Sequence, residues 1–152
     1  MPTGIALQDE ERCIARGELD ALVREEARWL GASQARRFGL LASNGCGWVL
    51  TDLALLQAGL LSVPLPAYFA SQQLAHAARD AGIDALLTDQ PQRACEIWPD
   101  LMPVGRSERT GFTLLRRTAA EASPHALPPG TVKITYTSGS TAAPKGVCLD
   151  AA

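Results

Sequence analysis

Between Arg37 and Thr88 three short apolar runs alternate with two stretches of helical periodicity, and this alternation restricts the fold more than any other feature of the chain. Arg37 to Ala42 contains the run Phe38-Gly39-Leu40-Leu41-Ala42 and ends at Ser43-Asn44-Gly45, residues suited to a tight turn and a helix N-cap. From Cys46 to Ala58, Trp48, Val49, Leu53 and Leu56 recur at helical spacing, and Gly59 closes the segment. Leu60 to Leu65 is then apolar at nearly every position until Pro66, the pattern of a central strand covered on both faces. Ser71 is placed to N-cap a helix presenting Leu74, Ala77, Ala78 and Ala81, stopped at Gly82, after which Ile83 to Thr88 reads as another strand. Strand, helix, strand, helix, strand at such short separations predicts an α/β fold of βαβ units around a largely parallel sheet with right-handed crossovers.

The flanks are less regular. Gly4 to Gln8 alternates as a short strand, Asp9 to Arg12 reads as a turn, and Glu18 to Leu30 is an amphipathic helix with Gly31 as its stop. After Asp89 the prolines at 91, 99, 103, 124, 128 and 129 break the periodicity. Within that stretch we read a helix over Gln92 to Ile97, strands at Leu101 to Val104 and Phe112 to Leu115, and a linker from Pro124 to Gly130. The last strand is Thr131 to Tyr136. At 152 residues this is one domain, or part of one.

Fourteen Lys and Arg against sixteen Asp and Glu, with no basic block, remove the electrostatic footprint of a nucleic-acid binder, so any polyanion must be gripped locally. Cys13, Cys46, Cys95 and Cys148 show no CxxC spacing and His76 and His125 are far apart, which argues against a zinc site and for a reducing, cytoplasmic compartment. Cys46 and Cys95 read as small buried filler, and the two histidines as ordinary residues. The N-terminus lacks a basic start followed by an apolar core, and the most apolar stretch, Val49 to Ala70, is interrupted by Asp52, Gln57, Gly59, Pro64 and Pro66. A spanning helix needs about 20 largely uninterrupted apolar residues, so no membrane span is expected.

The chemistry is concentrated after the last strand, in Thr137 to Gly146, TSGSTAAPKG. A loop that holds phosphate needs glycines, so that backbone N–H groups can converge, and hydroxyl or cationic side chains for charge-assisted hydrogen bonds. Thr137, Ser138, Gly139, Ser140, Thr141, Lys145 and Gly146 supply all of these. The nucleotide-triphosphatase pattern G-x-x-x-x-G-K-[ST] does not fit: counted from Gly139, Pro144 stands where the second glycine belongs and Gly146 where the magnesium-binding hydroxyl belongs. A flexible Ser/Thr/Gly tail is the plain alternative, but a tail requires neither the strand-like Lys133-Ile134-Thr135-Tyr136 before it nor the Pro-Lys-Gly closure.

The run Tyr136 to Val147, YTSGSTAAPKGV, resembles the phosphate-binding signature T-S-G-[ST]-T-G-x-P-K-G of the adenylate-forming ligases, the group of acyl-CoA synthetases, nonribosomal peptide synthetase adenylation domains and luciferases. It departs at one fixed position, where Ala142 replaces a glycine. The rest agrees in order: Glu18-Leu19-Asp20 is similar to the "ELD" helix of the family's opening, and Asn44, Ala58-Gly59 and Val63-Pro64-Leu65 to its "strand, Asn, helix, A-G, V-P-L" unit. Ile83 to Asp89 resembles its "LLTD" strand, while Pro91 to Gly130 matches in length and character only.

The resemblance implies ATP-dependent activation of a carboxylic acid as an acyl adenylate, usually with magnesium, and transfer to coenzyme A or a carrier-protein phosphopantetheine. It assigns hydroxyls at Thr137, Ser138, Ser140 and Thr141 and the charge of Lys145 to the β and γ phosphates. The family's adenine, acyl and magnesium-holding groups and its catalytic lysine come later in its sequence than the segment matched here. The chain therefore reads as the N-terminal portion of an adenylation domain, an incomplete part of that fold, inactive alone and without catalytic or metal-ligating residues of its own. One rival reading is a non-catalytic interaction module, or half of a split enzyme that pairs with the C-terminal remainder; another is a general nucleotide-binding module, which predicts thermal stabilisation by ATP. Two consequences are expected: Ala142 weakens the hold on ATP because φ > 0 is no longer free of steric cost, and Thr131 to Tyr136 is left as an open, aggregation-prone sheet edge.

Overall fold

The computed structural model describes residues 4–118, 126–139 and 143–151. Strands β1 (Ile5–Gln8) and β2 (Cys13–Ala15) pair antiparallel in a small sheet of their own. Asp9 makes the turn between them: its N–H donates to Arg12 O at 2.9 Å, and its Oδ1 accepts from Glu11 N and Arg12 N at 3.0 and 2.7 Å. Helix α1 (Arg16–Ala32) follows at once. Gly31 lies inside α1 rather than stopping it; the stop is Ser33, whose hydroxyl donates to Leu30 O at 2.6 Å.

The principal sheet, among the described residues, has seven strands in the order β6-β7-β5-β3-β4-β8-β9. Strands β3 (Arg37–Leu41), β4 (Leu61–Pro64), β5 (Ala85–Thr88) and β8 (Thr131–Thr137) are mutually parallel across each contact. Helices α2 (Cys46–Gln57) and α3 (Ser71–Ala81) make the two crossovers that the apolar alternation predicts. Helix α4 (Pro91–Ile97) then leads to the antiparallel pair β6 (Leu101–Arg106) and β7 (Thr113–Arg117) on one edge. The sheet is thus parallel at its centre and antiparallel at both margins.

Side chains divide by strand parity, as alternation across a pleat requires. Phe38, Leu40, Ala85, Leu87 and Leu114 pack with α1 and α2, while Leu41, Leu86, Leu115, Ile134 and Tyr136 pack with α3 and α4. Gly39 is on the second face because a Cβ there would stand 2.7 Å from Leu86 Cδ1 and 3.0 Å from Ile83 Cδ1. Glu26 of α1 is fully buried and accepts from Ser107 Oγ and Arg109 Nε, both at 2.7 Å, tying α1 to the turn between β6 and β7.

Several expectations are corrected. The N-cap of α3 is Ala70, not Ser71; Gln73 Oε1 takes its N–H at 2.9 Å. The N-cap of α2 is Gly45, and neither Ser43 nor Asn44 caps it. The acceptor comes from outside, as Cys46 N–H donates to Asp9 Oδ2 at 2.6 Å. Cys46 is buried filler as expected, but Cys95 is only half-buried. Strand β9 (Lys145–Asp150), absent from the sequence reading, pairs antiparallel with β8, so β8 is an interior strand and not an open edge. His125 and the start of the expected 124–130 linker lie outside the described residues.

Candidate phosphate-binding hairpin

The stretch singled out in the sequence spans the connection of the β8–β9 hairpin, at the C-terminal end of a parallel strand, where α/β sheets place their ligands. Thr137, the last residue of β8, is registered opposite Lys145, the first of β9, and the rung below it pairs Tyr136 with Gly146. Thr137, Ser138, Gly139, Lys145 and Gly146 are all exposed. Gly139 has φ +26°. Pro144 alone in this described stretch is buried, which anchors the return of the chain. Ser140, Thr141 and Ala142 lie outside the described residues. The hairpin therefore brings a hydroxyl and an ammonium group to one rung, and no carboxylate occurs between Thr137 and Gly146 to repel an anion. These residues fit a polyphosphate. Among the described residues, no group of three or more His, Cys, Asp or Glu is arranged to hold a metal ion.

The base of the hairpin is held on both faces. Strand β8 pairs parallel with β4, with Ser62 registered opposite Lys133. On the α2 face Asp52 joins the same two strands: Oδ2 accepts from Lys133 Nζ at 2.5 Å and Oδ1 from Ser62 Oγ at 2.8 Å, with the ammonium 6.0 Å from the Trp48 ring centre. On the α3 face Tyr136 donates its hydroxyl to Asp80 Oδ2 at 2.6 Å. Burial, reinforced by the hydrogen bond to Asp80 and its negative charge, pushes the Tyr136 phenol well above its ordinary range, so it stays a donor. Sequence reading registered Asp52 only as an interruption of an apolar stretch. Asp80 gave no signal beyond lying off the core face of α3.

A second concavity, of about 710 Å³, opens where β3 and β5 end, between Asn44, Trp48, Asp89, Arg106 and Phe112. Three of its charged groups are already engaged. Asp9 caps α2 and is drawn down to about 2, chiefly by the Cys46 N–H and then that of Glu11. Asp89 Oδ2 accepts from Ser43 N at 3.0 Å, and Arg106 Nε donates to Gly111 O at 2.9 Å. Glu10 and Glu11 also lie on its rim, so acidic groups outnumber Arg106 around this concavity.

Comparison with known proteins identifies the family of the chain. The family model for AMP-binding enzyme matches residues 2–152. The 4-hydroxyphenylalkanoate adenylyltransferase of Mycobacterium tuberculosis is 31% identical over 146 residues, covering 85% of this chain and 22% of that protein. Gramicidin S synthase 2 of Brevibacillus brevis is 28% identical over 153 residues, covering 98% of this chain and 3% of its own length. Among solved structures, o-succinylbenzoate coenzyme A synthetase of Bacillus subtilis in complex with AMP superposes with a TM-score of 0.73 at 26% identity, over 96% of this chain and 38% of that one. The same enzyme in complex with ATP and magnesium ion gives 0.71 at 25%. This chain, then, spans well under half the length of these relatives. With the signature hairpin at the end of a parallel strand and a match from one end of the sequence to the other, the chain belongs to the AMP-binding enzyme family, where it corresponds to the N-terminal part of the adenylate-forming ligases.

Proposed function

We propose that this chain supplies the phosphate grip of an ATP-dependent adenylate-forming ligase. The observation that carries the reading is the β8–β9 hairpin, which sets Lys145 opposite Thr137 within a TSGSTAAPKG sequence free of carboxylates. In the reaction a carboxylate oxygen bonds to the α-phosphorus of ATP as the bond to the bridging oxygen of the β-phosphate breaks, releasing pyrophosphate. The acyl group then passes from AMP to a thiol, of coenzyme A or of a carrier protein. Lys145 neutralises charge on the β and γ phosphates, and that charge grows on the departing pyrophosphate, so the lysine favours the transition state over bound ATP. Thr137, Ser138, Ser140 and Thr141 add hydroxyl hydrogen bonds, and backbone N–H groups beside Gly139 and Gly146 complete the cradle. Magnesium, held by the phosphates, would share in neutralising their charge.

Such a grip orients one end of ATP only. A near-attack arrangement also needs the base, the ribose and the acid held in place, so the 152-residue chain binds ATP weakly and does not catalyse. Incubating the purified chain with magnesium-ATP, a panel of carboxylic acids and labelled pyrophosphate tests this: no label enters ATP, whereas measurable exchange overturns the assignment of catalysis to segments beyond these residues. Restoration of exchange on adding a separately produced remainder of the family fold favours the split-enzyme form of the same reading.

A further inference from the structure

Resting on the phosphate-grip reading, one contact goes further. The Tyr136–Gly146 rung lies directly beneath the Thr137–Lys145 rung. A Cβ on Gly146 would stand 3.0 Å from Ile134 Cγ2, 3.0 Å from Tyr136 Cζ and 3.1 Å from its hydroxyl oxygen, so the phenol and Ile134 together occupy the space a side chain would take. Its orientation across the strand is in turn set by the 2.6 Å hydrogen bond to Asp80. Asp80 belongs to α3, which is fixed to the sheet through Leu74, Ala77, Ala78 and Ala81 and also touches β9. Ile134 is buried in the same core, and the Asp52 clamp acts on the opposite face, three residues lower on β8. On the α3 face the upper rung thus rests on Tyr136 beside Ile134, and of the two only Tyr136 carries a hydrogen-bonding group to orient it.

We propose that Asp80 is a positioning residue for the phosphate-binding hairpin, acting through Tyr136 to hold Lys145 and Thr137 at the separation a polyphosphate requires. Neither group touches phosphate; Asp80 holds the ring, the ring seats Gly146, and Gly146 carries Lys145. Gly146 and Tyr136 form one unit in this arrangement: the glycine leaves room for the phenol and for Ile134.

Binding of magnesium-ATP to the full labelled chain, followed by amide NMR shifts, tests the proposal. Tyr136→Phe and Asp80→Ala each weaken binding by about 5- to 10-fold, and the double variant is no weaker than the poorer single one, because both remove the same hydrogen bond. Asp80→Asn, which keeps an acceptor for the phenol, binds within about twofold of the unaltered chain. In the ligand-free chain the amide signals of Thr137 and Lys145 shift in the two disruptive variants and return in Asp80→Asn. A merely structural role moves neither readout in this way: Leu30→Val, a cavity on the opposite face, lowers thermal stability and leaves ATP affinity unchanged. Unaltered affinity in Tyr136→Phe and Asp80→Ala, or losses that multiply in the double variant, overturns the positioning role while leaving the hairpin as the phosphate site. No ATP-dependent shift in the unaltered chain removes that site, and the positioning role with it.

Discussion

Replacing Asp52 by alanine removes the acceptor that joins β4 to β8, and the structure sets the size of the effect. Ser62 is 2% exposed, and without Asp52 Oδ1 its hydroxyl loses its acceptor. Leaving such a group unpaired costs about 1–3 kcal/mol. The ion pair with Lys133, with side chains 27% and 18% exposed, adds up to about 1 kcal/mol, discounted for solvent screening. Together these give a loss of about 1–4 kcal/mol, or roughly 3–12 °C in Tm for a chain of this size. Asp52→Asn keeps an acceptor for Ser62 and loses only the ion pair, so its deficit is about 1 kcal/mol. Urea unfolding followed by circular dichroism and by Trp fluorescence provides the measurement, with coincidence of the two probes establishing two-state behaviour. A loss below about 0.5 kcal/mol in Asp52→Ala, or equal losses in the alanine and asparagine variants, refutes the view that this carboxylate fastens the hairpin to the sheet.

Two further substitutions probe the frame around the site. Gly39→Ala forces a methyl to within 2.7 Å of Leu86 and 3.3 Å of Leu65, and overpacking a close-packed core in this way costs about 1–3 kcal/mol, read as an earlier urea midpoint; an unchanged midpoint shows that the sheet face has slack. Asp9 is drawn from an ordinary 3.8 to about 2 by the N–H groups it accepts; a lowered folded-state value gives stability that is present above 3.8 and lost as the pH falls through 2. The Tm advantage of the unaltered chain over Asp9→Asn therefore stays constant above 3.8 and closes towards pH 2. A gap independent of pH across that window counts against the Asp9 carboxylate as the external cap of α2.

The parallel core was legible in the sequence because burial on two faces leaves continuous apolar runs, as in Leu60 to Leu65, and because glycines mark the ends of α2 and α3. TSGSTAAPKG marked this stretch as the candidate phosphate site, yet the second strand of the hairpin was not legible. Residues 145 to 150, Lys-Gly-Val-Cys-Leu-Asp, are exposed throughout, so no buried face imprints a hydrophobic pattern on them, and β9 exists through its backbone pairing to β8. Strand β2 was hidden for a related reason: it has three residues, and only Ile14 is buried. Caps were misplaced where the acceptor is distant in sequence, as Asp9 is from Cys46, a relation that local spacing cannot reveal. The same holds for Asp52 with Lys133 and Asp80 with Tyr136, which the fold alone brings together. The described helices include none long and apolar enough to cross a membrane, in line with the interruptions read between Val49 and Ala70.

The central claim is that the β8–β9 hairpin holds polyphosphate through Lys145. Titrating the isotopically labelled chain with inorganic tripolyphosphate, with and without magnesium, tests it without reference to the base or the acid. The account predicts amide shifts concentrated at Thr137, Ser138, Gly139, Lys145 and Gly146, a dependence on salt expected of a charge-assisted contact, and loss of the response in Lys145→Ala. Shifts centred instead on Asn44, Trp48 and Arg106, or a response that survives Lys145→Ala unchanged, contradict it.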